Sequence, residues 1–235
     1  MKVVLTRERG RNDELVAWLP EGCDVFEVPL TETHYVSDDV YAQRLDEAAR
    51  AGAFSSLVLT SAKSAPLVEA ALQRCVRDVE VYSVGPATTR SLGELGVVVS
   101  AQSLSGAREL ANQVRFGPVL IVGAATMRPE LAQDLRSRAL EVCVVAGYET
   151  RAIELDEDAA RSLREADVVA IGAPSAWRVA RAHVGEPTWV VVPGATTARV
   201  VELDHARVIE GWGPSWRVRL AELELADART EWREQ

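Results

Sequence analysis

The sequence predicts an α/β protein of two lobes built from a duplicated unit, each lobe a parallel sheet flanked by helices. Three observations predict it. Short β-branched runs alternate with longer amphipathic segments, a two-part pattern recurs along the chain, and 235 residues are enough for two small domains of about 100 residues or more. The composition is 48% hydrophobic and 26% charged, which supplies sizeable cores and is unlike a disordered or fibrous chain.

The strand signals are, in order, Lys2-Val3-Val4-Leu5, Leu57-Val58-Leu59, Val79 to Val84, Pro118 to Val122, Val168-Val169-Ala170-Ile171 and Trp189 to Val192. Most are nearly continuous apolar runs, as in parallel strands covered on both faces. Most lead into turn residues and then into apolar residues at helical spacing, as at Leu15 and Leu19 or Leu131 and Leu135. That order is the pattern of parallel βα units.

Internal similarity organises these elements. Val3-Val4-Leu5 through Glu14-Leu15 resembles Val119-Leu120-Ile121 through Glu130-Leu131, and with one residue of slippage Val28 to Thr33 falls on Val145 to Thr150. A second pair matches Gly85-Pro86-Ala87-Thr88-Thr89-Arg90 with Pro193-Gly194-Ala195-Thr196-Thr197-Ala198, preceded by Ser64-Ala65 and Ser175-Ala176. The order is therefore A, B, A, B. Each unit alone has too few strands for a covered sheet, so two must combine in each lobe. Either neighbours pair, or the first A closes the last B; repetition leaves both open. Glu32 to Ser37 and Thr150 to Asp156 are polar and interrupt the apolar pattern, which places crossings between lobes there and makes a hinge. Ligands of open α/β sheets bind at the carboxyl ends of strands, so the working site is expected in a cleft between the lobes.

The net charge of -9 argues against sequence-independent binding to nucleic acid, which needs a basic surface. The chain shows no leader pattern and no apolar run near the length of a membrane span, so a cytoplasmic protein that does not enter membranes is expected. Cys23, Cys75 and Cys143 are odd in number, far apart and without metal-ligand spacing, and are read as small buried hydrophobes in a reducing compartment. His34, His183 and His205 are scattered; no metal site is expected and no histidine base is assigned. The dinucleotide fingerprint, P-loop, zinc-protease and nucleophile-elbow motifs are absent from the sequence.

What remains is a set of glycine- and hydroxyl-bearing turns after strands. Thr60-Ser61-Ala62-Lys63-Ser64-Ala65 follows one strand and Gly85-Pro86-Ala87-Thr88-Thr89 the next, and their counterparts are Gly172-Ala173-Pro174-Ser175 and Pro193-Gly194-Ala195-Thr196-Thr197. Such turns present free backbone N–H groups at helix starts and suit carboxylate- or phosphate-rich ligands. Taken singly, each is as well explained by helix capping. Their convergence at one end of the sheets argues for function. Lys63 adds a cation, Lys2 being the only other lysine.

The chain resembles the uroporphyrinogen-III synthase family over nearly its whole length. The residues that carry the likeness are Leu5-Thr6-Arg7 with Gly10 and Leu15, Leu59-Thr60-Ser61-Ala62 with Ser64-Ala65, and Val84-Gly85-Pro86-Ala87-Thr88 leading to Leu95-Gly96. Gly123 with Arg128 and Leu131, Tyr148-Glu149-Thr150, Ser175-Ala176, Gly194 to Ala198 and Pro214-Ser215 complete the series. Two turns depart from the family pattern: Ile171-Gly172-Ala173 stands where an apolar-Thr-Ser turn is usual, and Val122-Gly123 replaces the common Arg-Gly.

The resemblance implies two flavodoxin-like lobes joined by two extended linkers, residues 1–33 with 152–235 and residues 38–149, with linkers near 34–37 and 150–151. It implies a cyclising lyase of heme and other tetrapyrrole biosynthesis, acting as a monomer without a cofactor on hydroxymethylbilane, which loses its terminal hydroxyl and closes with inversion of ring D. Tyr148 is the implied acid, since a phenol keeps its proton at neutral pH; before the resemblance, packing and proton donation are equally open to it. Arg7, Thr60, Ser61, Lys63, Gly85, Pro86, Ala87, Thr88, Gly123 and Arg128, with Ser175, Gly194, Ala195, Thr196 and Thr197, are the implied substrate-binding positions. A small-anion-binding or regulatory protein without catalysis fits the same turns and hinge. The charged tail after Trp216 is expected to end in a surface helix whose tryptophans pack rather than bind.

Overall fold

The computed structural model describes residues 1–103, 107–220 and 222. Its strands are β1 (Lys2–Leu5), β2 (Asp24–Glu27), β3 (Thr31–Tyr35), β4 (Phe54–Leu59), β5 (Cys75–Val84) and β6 (Ala101–Ser103). They continue as β7 (Val119–Ala124), β8 (Val142–Ala152), β9 (Val168–Ala170), β10 (Trp189–Val192) and β11 (Val208–Glu210). The helices are α1 (Asp13–Val16), α2 (Asp38–Ala48), α3 (Val68–Leu72), α4 (Pro86–Glu94) and α5 (Ala107–Gln113). After these come α6 (Glu130–Ser137), α7 (Glu157–Arg164), α8 (Pro174–Ala180) and α9 (Ala195–Val201).

The chain divides into two compact units, Met1–Glu32 with Arg151–Gln235, and Thr33–Thr150. The first unit holds a five-stranded sheet in the order β11-β10-β9-β1-β2, parallel at every pair. β1 lies between β2 and β9, so the first A segment shares a sheet with the last B segment. Alternation along β1 builds two cores: Val4 packs with Val169, Val190 and Trp177 on one face, and Val3 and Leu5 with Leu15, Val168, Val191 and Trp216 on the other. Two covered faces explain why these strands read as unbroken apolar runs.

The second unit is built the same way on a six-stranded sheet, β3-β8-β7-β4-β5-β6. Leu57 and Leu59 of β4 face Leu120, Leu92 and Tyr41, while Val58 faces Ile121, Leu131 and Leu135. α4 begins where Gly85 takes a positive φ of 81° and Pro86 occupies the first helical turn, a start that glycine and proline favour for separate reasons.

Five strands differ from the sequence-based expectation. The two segments read as polar crossings are strand in part: Val36 N–H donates to Gly147 and Ile153 N–H to Leu30, so β3 and β8 run antiparallel. Backbone bonds need no apolar face, which is why hydropathy did not reveal them. β2 is exposed along its whole length, and β6 and β11 have three residues each, too short for a period. Leu19 lies beyond the short α1 and is nevertheless buried. Trp216 to Leu220 are helical; the surface helix expected at the end of the tail falls on residues 223–235, outside the described residues.

Candidate active site

In the second unit, strand register gathers the turns. Leu59 is the partner of Ser83 on one side and Val122 on the other, so the chain leaves the sheet at Thr60, Gly85 and Gly123 on one carboxyl edge. Thr60 and Gly123 approach closely: a Cβ on Gly123 would lie 2.5 Å from Thr60 Oγ1 and 2.8 Å from Met127 Sδ. Gly123→Ala is therefore expected to displace Thr60 and cost about 1–3 kcal/mol by overpacking, read as a lower denaturation midpoint; an unchanged midpoint would show that the edge yields freely.

Ser61 caps the turn after β4, its Oγ accepting from the Lys63 N–H at 3.3 Å. The Lys63 carbonyl accepts from the Tyr35 hydroxyl at 2.9 Å. Pro86 and Ala87 are exposed at the start of α4, whose first N–H groups have no helical acceptor. Thr88 does not reach solvent: it is buried, and its hydroxyl donates to the Val84 carbonyl at 2.7 Å. Its hydroxyl braces the helix start rather than facing solvent. Arg128 is exposed in the loop after β7.

Tyr148 sits near the end of β8 at a register shift. Gly123 pairs with Ala146 but Ala124 pairs with Tyr148, which leaves Gly147 as an extra residue. Bulges of this kind re-aim the next side chain. A Cβ at Gly147 would lie 2.3 Å from Leu67 Cδ1 and 3.1 Å from Tyr41 Cε2, so any larger residue would displace the Leu67 side chain. The Tyr148 ring is 4% exposed and lies 5.8 Å from the Tyr35 ring, tilted by 49°. Its hydroxyl bonds to no described group, and it is not among the buried polar atoms that lack partners. The ring thus belongs to the core, while its hydroxyl is not committed to any described partner. Tyr35, which the sequence reading passed over as part of a polar crossing, braces both the ring and the Lys63 turn.

In the first unit the partners are Leu5, Ala170 and Val191, with Val192 opposite Glu210. Arg7, Gly172, Gly194 and Trp212 consequently follow strands that end on one edge. The Arg7 guanidinium lies 5.4 Å from the centre of the Trp212 ring. Burial holds its pKa below the usual guanidinium value, against the opposing charge of Glu14. Ser175 is half-buried in the first turn of α8, and Ala195 and Thr196 are exposed at the start of α9. Thr197 is buried beneath them and, like Thr88, supports the turn from below. The contact between Trp212 and Arg7 joins residues too distant in sequence for a local pattern to signal.

Cys23, Cys75 and Cys143 are half-buried rather than fully buried as expected. Burial pushes the Cys75 thiol up to about 11, and the Cys143 thiol is raised by burial and by Glu141. At pH 8 the Cys75 thiolate fraction is then on the order of 0.001. Iodoacetamide should leave Cys75 of the folded protein unmodified at that pH, as mass spectrometry would show; rapid labelling would contradict its burial. His205 is structural, with Nε2 2.7 Å from the Thr188 carbonyl and its ring against Trp177.

Two α/β units, each with glycine and hydroxyl turns on the carboxyl edge of its sheet, define a duplicated α/β protein of the class whose ligand crevices lie at strand ends. A family model described as uroporphyrinogen-III synthase HemD matches residues 13–209, and the chain belongs to that family, a family of cyclising lyases in tetrapyrrole biosynthesis. Among solved structures, a mutant uroporphyrinogen III synthase from the extremely thermophilic bacterium Thermus thermophilus is similar at 16% identity and a TM-score of 0.65, over 97% of this chain and 99% of that one. Uroporphyrinogen-III synthetase from Helicobacter pylori is similar at 16% identity and a TM-score of 0.59, over 97% and 98%. At these identities the likeness is one of fold. No curated protein sequence matches the chain. No helix among the described residues is long and apolar enough to cross a membrane.

Proposed function

We propose that this chain converts hydroxymethylbilane to uroporphyrinogen III, with loss of water and inversion of ring D, using Tyr148 as the proton donor. The observation that carries the role of Tyr148 is its phenol: the ring is fixed by packing, and the hydroxyl bonds to no described group. The substrate supplies most of the driving force itself. Its pyrrole nitrogen pushes out the terminal hydroxyl to leave an azafulvene, and the Tyr148 O–H assists by donating to the departing oxygen. The substituted α-carbon of ring D then attacks the exocyclic methylene, and the bond from that carbon to the ring C bridge breaks. The freed bridge methylene is taken by the other α-carbon of ring D, which loses its proton; the remaining burden on the protein is orientation.

In the second unit, backbone N–H groups at Ser61 and Ala87 are the assigned carboxylate contacts; in the first unit, the assigned contacts are those at Ala195 and Thr196. Hydroxyls of Thr60 and Ser175 and the charges of Lys63, Arg7 and Arg128 add to them. Gly85, Pro86, Gly123 and Gly194 shape the turns, and Thr88 and Thr197 brace them. Binding through N–H dipoles explains how a chain of net charge -9 can accept a polyanion without a broad basic surface. The protein acts without a cofactor, as a cytoplasmic monomer that binds neither nucleic acid nor membrane.

Complementation tests this reading. Expression in a bacterium deleted for its own uroporphyrinogen-III synthase should restore growth without added haem, and Tyr148→Phe should restore it poorly. Failure of well-expressed wild-type protein to rescue growth would count against synthase activity.

A further inference from the structure

Trp212 is fixed by an aromatic row. It meets Trp216 edge-on at 5.9 Å, Trp216 meets Trp18 in the same manner at 6.4 Å, and Trp216 Nε1 donates to the Gly211 carbonyl at 2.8 Å. The other end of the indole lies over Gly172, where a Cβ would stand 3.3 Å from Trp212 Cη2 and 3.7 Å from Arg7 Cγ. Gly172 is two residues past the end of β9; in the other unit Ser61 is two residues past the end of β4. The side chain that one unit places at this turn is absent from the other, and an indole takes the space. A serine or threonine at 172 and the observed indole would compete for one volume.

Arg7 rests on that indole. Among the described residues it makes no hydrogen bond and no ion pair, and Glu14 and Glu8 act on it only at longer range. Partly buried arginines are ordinarily paired. Here the guanidinium carbon lies 5.4 Å from the centre of a neutral indole, a contact that uses none of its N–H donors and leaves the fork able to meet a carboxylate through two parallel bonds. Trp212 Nε1 is likewise buried without a partner.

We propose that Trp212 is a positioning residue for Arg7, the cation assigned above to the substrate's carboxylates: the indole, held by Trp216, keeps the Arg7 side chain at the strand edge of the first unit, and Gly172 makes room for it. The identity of the anion rests on the synthase reading; the positioning of Arg7 rests on the geometry.

The test is a double-mutant cycle with two readouts: cyclisation kinetics on hydroxymethylbilane, and the dissociation constant of uroporphyrin III from fluorescence quenching. Arg7→Gln should raise KM and the dissociation constant about tenfold while kcat stays within about twofold, the signature of lost uniform binding. Arg7→Lys should recover only part of the affinity, because an ammonium lacks the planar fork. Trp212→Leu should weaken binding about fivefold and Trp212→Phe less than about twofold, and the Arg7→Gln/Trp212→Leu double variant should be no worse than Arg7→Gln alone. If Trp212→Leu fails to fold, the two Arg7 variants and Trp212→Phe decide the matter.

Wild-type KM and affinity in Arg7→Gln, or fully additive losses in the double variant, would overturn the proposal. A wild-type protein that makes no isomer III yet binds uroporphyrin through Arg7 and Trp212 would sink the synthase reading and keep the positioning role. One that makes isomer III with unaffected Arg7 variants would do the reverse.

Discussion

Replacing Tyr148 by phenylalanine is expected to lower kcat about 100-fold and to leave KM within about twofold, because proton donation acts in the transition state and contributes little to ground-state binding. The substitution is clean. It removes one oxygen that bonds to no described group and leaves in place a ring that is 4% exposed and packed on Tyr35. Folding stability should therefore be nearly unchanged, which separates loss of chemistry from loss of structure. Steady-state cyclisation alongside a denaturation curve provides the check. Unchanged turnover would remove Tyr148 from the mechanism, and a large loss of stability would mean that its hydroxyl has a structural partner.

Trp177→Ala is expected to cost about 3–5 kcal/mol, the range for deleting a large aromatic side chain from a packed core. Trp177 is 1% exposed and lies in the core with Val4, Val169 and Val190. Its Nε1 donates to Asp204 Oδ2 at 3.3 Å and its ring meets His205 edge-on at 5.8 Å. The side chain thus secures α8 to the sheet, and deleting it leaves a cavity as well as a weakened polar contact. Urea denaturation should show an early loss of the first unit, and Trp177→Phe should recover part of the stability. A loss below about 1 kcal/mol would contradict the packing described for this core.

The central strands were legible because burial on both faces writes a continuous apolar run. β1, β4, β7, β9 and β10 all have this property. β2 is an exposed edge and β3 is polar, and each is held by backbone bonds that leave little trace in composition. Part of the site was legible for a different reason. Gly85-Pro86 is a turn whose dihedral demands restrict the residue types, so its chemistry is visible in one dimension. Tyr148 was recognisable by its family-like neighbours, but no local pattern distinguishes a packed phenol from a reactive one, and the bulge at Gly147 and the ring of Tyr35 that hold it are not visible in the sequence. Trp212 lay furthest from inference, since its contact with Arg7 depends on a missing side chain at Gly172. Thr88 shows the converse, a hydroxyl that looks free in sequence but donates to the Val84 carbonyl just ahead of its own helix.

The most direct test of the central claim is a coupled assay in which hydroxymethylbilane is generated in situ and the oxidised products are separated as uroporphyrin isomers. Synthase activity predicts that isomer III dominates and forms at a rate set by the amount of this protein added. Isomer I alone, the product of uncatalysed closure, formed at a rate indifferent to the protein, would contradict it.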